Sequence, residues 1–190
     1  MTIAFVLGNG VSRRPIALDT LKERGKIYGC NALYRDFIPD VLVATDRPIA
    51  TRIQEEGYSA KNVFYTRRPI AGLGGHPIPQ NYYGFSSGPA AVGLAASASY
   101  RTIYLLGFDL GPSQTGKFNN VYSDTEFYKT SQSNSTYTGN WIRQIVDTVN
   151  KFPHTKFVRV KGATTANIIK FDKIQNLTNL PIQDFLDLYK

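Results

Sequence analysis

The sequence is poor in the residues that build disulfides, zinc clusters and histidine-based catalytic groups. Its 190 residues include one cysteine, Cys30, and two histidines. A single cysteine excludes an intramolecular disulfide and a zinc site made of several thiolates. It fits a reducing compartment, and the first residues lack the basic-then-apolar pattern of a signal peptide. We therefore expect a cytoplasmic protein.

Long apolar runs are also absent, because no stretch approaches the ~20 residues that a membrane-spanning helix needs. Basic residues outnumber acidic residues by 22 to 14, which gives a formal net charge of +8. This balance favours anionic partners such as a nucleotide or a sugar phosphate. The basic residues are dispersed, with no run longer than two, so we expect no specific nucleic-acid partner.

The chain opens with the pattern strand, glycine turn, helix. Residues 3–7 form an unbroken apolar run that is typical of a strand buried in a parallel sheet. Gly8 and Gly10 follow at once, and they allow a tight turn whose N–H groups can point at a phosphate. A full GxGxxG fingerprint is absent, because Arg13 stands at its third glycine position. The motif fits a nucleotide-binding turn or a plain tight turn.

Strand-like and helix-like segments alternate along the chain. This alternation predicts an α/β fold in one domain, residues 1–190: a Rossmann-like, doubly wound, mostly parallel sheet of about six strands with helices on both faces. Two polar stretches, 67–85 and 111–136, are expected to be lid-like loops, and 162–190 a polar tail. The predicted strands are 2–7, 26–30, 41–45, 62–66, 102–106 and 156–160, and the predicted helices are 16–24, 31–37, 48–56, 89–99, 139–150 and 181–189.

In such a sheet, ligands bind beyond the carboxyl ends of the strands, near the point where the strand order reverses. Residues 86–88 begin a predicted helix there, with free N–H groups and a dipole that favour an anion. Serine and asparagine at these places also fit a simple helix cap, and Asp109 also fits a turn. Neither His76 nor His154 is assigned a role. The polar residues at predicted strand ends are Asn9 with Ser12, Asn31, Asp46 and Asp109.

Three segments together resemble a known family: VLGNGVS, IYGCNALY and FSSGPAAVGLAASASYRTIYLLGFDL. Their order and approximate spacing are similar to those of the small bacterial sialyltransferases that use CMP-sialic acid. The resemblance implies transfer of a sugar from a nucleotide sugar to a hydroxyl acceptor, without a metal or other cofactor. It implies that the nucleotide is bound by Asn9, Gly10, Ser12, Asn31, Ser86, Ser87 and Gly88, and the glycine turn itself adds Gly8 to these predicted residues.

The chain departs from this family where the family's catalytic groups lie. The first of two tyrosines that assist the leaving phosphate is replaced by Gly111, so Tyr122 is the remaining candidate. The family's general-base histidine is replaced by Asn140, in the segment Tyr137 to Asn140, and an amide cannot accept a proton from a sugar hydroxyl. Asp109 is the nearest candidate base by chain order. The predicted catalytic positions are therefore Asp109, Tyr122 and Asn140.

A second resemblance leaves the reaction open. The segment IPDVLVATD is similar to one in 6-hydroxymethylpterin diphosphokinase-like proteins, and motility-associated glycosylation proteins share the scaffold. Under that reading, Asp46 and Asp109 hold Mg²⁺ against ATP phosphates, since carboxylates suit this cation. A third reading is a non-catalytic nucleotide-binding or assembly protein on a degenerate scaffold. The aromatic pairs Tyr82-Tyr83 and Phe127-Tyr128 fit a sugar platform, a homo-oligomer interface or loop packing.

Overall fold

A computed structural model describes residues 2–190, in which one eight-stranded parallel sheet lies between two layers of helices. The strands are β1 Ile3–Leu7, β2 Lys26–Cys30, β3 Val41–Ala44, β4 Phe64–Thr66, β5 His76–Pro77, β6 Thr102–Leu106, β7 Lys156–Lys161 and β8 Leu177–Pro181. Their order across the sheet is β5-β4-β3-β2-β1-β6-β7-β8. The order therefore reverses between β1 and β6, and a cleft opens where neighbouring strands send their connections to opposite faces.

The two central strands pair along their whole length. Ile3 lies opposite Thr102, and Leu7 lies opposite Leu106. Apolar side chains on both faces of β1 are fully buried, which explains the unbroken apolar run in its sequence. This register brings the glycine turn after β1 beside the loop that follows β6.

Helices cover both faces of the sheet. Helices α2 and α3 contribute to the core on one face, and α1 and α5 contribute to the core on the other. The α-helices are α1 Arg47–Glu55, α2 Ser87–Ser97, α3 Gly139–Lys151, α4 Ile169–Asp172 and α5 Ile182–Leu188, and 3-10 helices span Val11–Arg13, Leu18–Leu21, Asn31–Arg35 and Gln80–Tyr82. None of the helices in this part of the chain has the length and apolarity that a bilayer crossing needs.

Small residues let α2 lie close to the sheet. Ala90, Ala91, Ala95 and Ala96 are fully buried in it. A Cβ atom on Gly93 would lie 2.5 Å from the ring of Tyr82, so this position has room for glycine alone. The amino-terminal end of α2 lies at the carboxyl edge of the sheet, because Ser87 Oγ accepts a hydrogen bond from the Thr45 N–H directly after β3.

The α/β architecture is confirmed, but several elements differ from the sequence-based expectation. The sheet has eight strands rather than about six, and all of its pairings are parallel. Both additional strands, β5 and β8, are edge strands with few buried residues, so their sequences contain no apolar run that would predict a strand. The predicted helix 16–24 is only a short 3-10 helix. In the tail 162–190, the strand β8 was not predicted, whereas the predicted helix 181–189 is confirmed as α5, in which Phe185 is fully buried.

Candidate functional site

A cavity of about 390 Å³ opens at the carboxyl edge of the sheet, beside the reversal of strand order. This volume lies within the range of small-molecule sites in proteins, about 300–1,000 Å³. The glycine turn after β1 and the amino-terminal end of α2 both line it. The predicted site residues that line the cavity are Gly8, Asn9, Gly10, Asn31, Asp46, Ser86, Ser87, Gly88 and Asp109.

The glycine turn after β1 packs closely against the backbone that follows β6. The N–H of Gly8 donates to Leu106 O at 2.7 Å, and the N–H of Gly10 donates to Gly107 O at 2.9 Å. A Cβ atom on Gly8 would lie 2.6 Å from Gly107 O, so a side chain cannot be accommodated without movement of the backbone. These two N–H groups are therefore occupied within the protein, and they do not face a phosphate as the motif suggested.

Asp109 is the main hydrogen-bond acceptor beneath the cavity. Its carboxylate accepts five hydrogen bonds: from the Ser12 backbone N–H (3.1 Å) and hydroxyl, Asn119 Nδ2 (3.0 Å), Thr164 Oγ1 (2.6 Å) and Thr165 Oγ1 (3.3 Å). These donors come from three separate segments of the chain. Asp109 is 3% exposed. With its lone pairs occupied, this carboxylate anchors loops and is poorly placed to accept a proton from a substrate.

Two buried arginines hold the same loops through backbone oxygens. Arg159 donates to Phe108 O from Nε and Nη2 (2.9 and 2.8 Å), to Asp109 O (2.9 Å) and to Ala166 O (2.8 Å). Burial lowers the pKa of Arg159 to about 10, so the side chain remains protonated at neutral pH. Arg13 donates to Gly8 O at 2.9 Å. The arginine in place of the third glycine is therefore part of the turn itself.

The 3-10 helix after β2 begins with Asn31, which has a buried oxygen without a hydrogen-bond partner among the described residues. Asn31 lines the cavity in a left-handed conformation with φ of 53°, which asparagine tolerates better than most residues. Its Oδ1 is buried and has no hydrogen-bond partner within residues 2–190. Nearby, Asn9 Nδ2 donates to Cys30 O at 3.1 Å. Asn9 thus joins the ends of β1 and β2, and the Asn31 oxygen is left without a donor from the described part of the chain.

The amino-terminal end of α2 lines the cavity and has N–H groups without an acceptor within residues 2–190. The Ser86 N–H is occupied by Gln144 Oε1 at 2.9 Å, and Ser87 Oγ accepts from the Thr45 N–H at 2.9 Å. The N–H groups of Ser87 and Gly88 have no acceptor in the described part of the chain. Such N–H groups and the helix dipole favour an anion.

The segment 111–136 forms one wall of the cavity. Phe118, Phe127, Tyr128 and Lys129 line it. Asn119 pins the segment to the turn after β1, because its Oδ1 accepts from the Val11 N–H at 2.9 Å. The wall supplies aromatic surface and a positive charge. By contrast, no residue of 67–85 lines this cavity.

Two predicted catalytic residues do not line the cavity. Tyr122 is buried, and its hydroxyl accepts from Arg13 Nη2 at 3.2 Å. Burial raises the pKa of Tyr122 to about 12, so it is protonated at neutral pH. Asn140 is exposed near the start of α3, where the neighbouring Trp141 lines the cavity instead. The geometry therefore supports neither residue as a catalytic group.

Asp46 is the carboxylate that remains available. It caps α1 without a side-chain hydrogen bond, is exposed, and lines the cavity. A Mg²⁺ ion between Asp46 and Asp109 does not fit this arrangement, because the oxygens of Asp109 are taken by protein donors. Residues 2–190 also contain no group of three or more His, Cys, Asp or Glu side chains that could hold a metal.

Several residues of the site carry no sequence signal. Asn119 and Lys129 lie in a polar stretch without periodicity, and Gln144 lies in a helix where only the apolar face is conspicuous. The position of Arg159 does indicate a structural role, although we did not predict one from the sequence. A charged residue between Val158 and Val160 of a buried strand requires buried partners.

Comparisons with known proteins return no relative of this chain. No protein-family model matches the sequence. No curated protein and no solved structure matches it either.

Proposed function

We propose that the protein binds a nucleotide sugar, with CMP as the nucleotide, and transfers the sugar to a hydroxyl acceptor. The observation that carries the proposal is that Ser87 and Gly88, whose N–H groups have no acceptor within residues 2–190, line the same cavity as the turn after β1. The phosphate of the nucleotide would accept from these groups. Lys129 lines the same cavity and adds a positive charge.

The walls of the cavity suit a nucleoside next to that phosphate. Phe108, Phe127 and Tyr128 provide aromatic surface on which a base or ribose can stack. The unpaired Oδ1 of Asn31 needs a donor, and leaving it unpaired costs about 1–3 kcal/mol. The exocyclic amine of cytosine is such a donor. This match favours CMP over a uridine nucleotide, which presents a carbonyl at the same ring position.

Asp46 is the group we assign to proton transfer. The acceptor hydroxyl would attack the anomeric carbon of the sugar, the bond from that carbon to the phosphate oxygen would break, and the hydroxyl proton would pass to the Asp46 carboxylate. The departing CMP would carry the negative charge. That charge would be stabilised by the N–H groups of Ser87 and Gly88, which are oriented before the reaction.

The residues of the same cavity bear on the other two hypotheses, a diphosphokinase and a non-catalytic binding protein. The diphosphokinase reading requires Asp109 as a Mg²⁺ ligand, and the five donors around Asp109 do not support it. The non-catalytic reading has one observation in its favour, because neither Tyr122 nor Asn140 lines the cavity. Turnover therefore has to be measured separately from binding.

Calorimetry with CMP, UMP and ATP, with and without Mg²⁺, tests the binding step. We expect CMP to bind without Mg²⁺ and Lys129→Gln to weaken its binding about tenfold, which corresponds to about 1.4 kcal/mol. Lys117→Gln is the matched control, since Lys117 lies in the same segment and does not line the cavity. Absence of CMP binding, or ATP binding that requires Mg²⁺, contradicts the proposal.

Release of CMP from CMP-sialic acid tests the transfer step, with simple galactosides and acidic sugars both offered as acceptors. Asp46→Asn should retain CMP affinity and lose at least about 100-fold in release, the usual range for removal of a general base. Tight binding of CMP with no release in the unmodified protein would favour the non-catalytic reading. Equal rates for Asp46→Asn and the unmodified protein would remove Asp46 from the mechanism.

A further inference from the structure

A second cavity lies next to the first, at the carboxyl ends of β3 and β4. It has a volume of about 180 Å³, and Asp46 lines both cavities. Three arginines line the second cavity: Arg47, Arg67 and Arg68. Within residues 2–190, none of the three forms a salt bridge with a carboxylate. Three cations and one carboxylate therefore share a small polar space.

Three guanidinium groups against one carboxylate give the cavity an excess of positive charge, which attracts an anion. One of the three is also held in a fixed orientation. Arg67 donates to Tyr83 O from Nε and to Phe85 O from Nη2, both at 2.7 Å. Its Nη1 has no acceptor in residues 2–190. A fixed guanidinium with an unused edge is well suited to an oxyanion.

We infer that this second cavity binds an anionic group, phosphate or carboxylate, on the acceptor substrate. The inference rests on the proposed function, since it takes the first cavity as the nucleotide-sugar site. Asp46 lies between the two cavities, so an acceptor anchored by its anionic group would place a neighbouring hydroxyl beside this carboxylate. The acceptor class is therefore an acidic sugar, such as a sugar phosphate or a uronic acid, rather than a neutral galactoside.

The two cavities are also connected structurally. Thr45 lines the second cavity, and its hydroxyl is 3.0 Å from Ser87 Oγ at the start of α2. The buried Thr66 lines the second cavity from β4. The anionic group of the acceptor would thus lie on one side of the contact between Thr45 and Ser87, and the phosphate of the nucleotide on the other side.

Calorimetry with glucose 6-phosphate, glucuronic acid and glucose tests this inference, at one ionic strength and in the presence of saturating CMP. The anionic sugars should bind and glucose should not. Binding of the phosphate alone or of the carboxylate alone supports the inference and identifies the group. Arg47→Gln and Arg68→Gln should each weaken binding of the anionic sugar about tenfold, which corresponds to about 1.4 kcal/mol.

Arg101→Gln is the matched control, because Arg101 is exposed immediately before β6, at the amino-terminal ends of the strands and away from both cavities. It should leave both affinities unchanged. Equal binding of glucose and glucose 6-phosphate, or affinities that neither Arg47→Gln nor Arg68→Gln changes, would overturn the inference. Arginine-dependent sugar-phosphate binding without any CMP binding would instead retain this site and reject the proposed function. CMP binding together with sugar-phosphate binding that does not depend on the arginines would retain the proposed function and reject this site.

Discussion

The sharpest structural prediction concerns Asp109, because a loop anchor and a catalytic base respond differently to loss of the charge. In Asp109→Asn, an amide oxygen at the Oδ2 position can still accept from the Ser12 N–H, Asn119 and Thr164. The hydroxyls of Ser12 and Thr165, which donate to Oδ1, can rotate to accept from the new amide group. All five hydrogen bonds lose the negative charge of the acceptor. At about 1 kcal/mol for each, the loss is at most about 5 kcal/mol.

Part of that loss is offset, because the amide avoids the cost of burying a carboxylate. We therefore expect Asp109→Asn to lower the free energy of unfolding by about 2–4 kcal/mol, and the melting temperature by roughly 5–15 °C. Circular dichroism during thermal and urea unfolding measures both quantities. Glu55→Gln is the control, since this exposed carboxylate has no salt bridge or hydrogen bond within residues 2–190 and its loss should change stability by less than about 0.5 kcal/mol. If Asp109→Asn keeps full stability and loses only turnover, Asp109 is catalytic and our interpretation is wrong.

Three further predictions test the site and its surroundings. Gly10→Ala should lower the free energy of unfolding by about 1–3 kcal/mol and weaken CMP binding, because the new Cβ atom would lie 2.7 Å from Gly107 O. Gly84→Ala is the control, because no atom lies within 4 Å of its Cβ position, and it should leave the urea unfolding curve nearly unchanged. Burial raises the pKa of Tyr58 and Tyr122 to about 12, so the folded protein keeps protons that the unfolded chain releases above about pH 10. Stability should therefore fall as the pH rises from about 10 to 12, and tyrosinate absorbance should rise together with unfolding; early titration of all tyrosines in the folded state would contradict this. Burial also raises the pKa of Cys30 to about 12, so iodoacetamide at pH 8 should modify it only upon unfolding, as measured by mass spectrometry.

The central part of the fold could be predicted from the sequence because burial on two faces leaves a clear pattern. The predicted strand 102–106 coincides with β6, and β1 differs by one residue at its start. The Ala-rich helix was predicted within two residues of α2, since its small residues are unbroken by a turn signal. The edge strands β5 and β8 were missed because an edge strand buries little and so carries no apolar run.

The site was only partly predictable, for a related physical reason. Residues at the ends of buried strands, such as Asn31, Asp46 and Asp109, are located by the strands themselves, and all three line the cavity. Their roles depend on partners that are distant in sequence. Thr164 lies 55 residues from Asp109, and it is one of the donors that occupy this carboxylate. A sequence pattern does not show which of two similar carboxylates is already occupied by hydrogen bonds.

The most direct test is a crystal structure of the protein with CMP. We predict that phosphate oxygens lie within about 3 Å of the Ser87 and Gly88 N–H groups, and that the cytosine amine donates to Asn31 Oδ1. Density for CMP at any other place on the molecule, or a cavity that holds no nucleotide at saturating CMP, would contradict the proposed site.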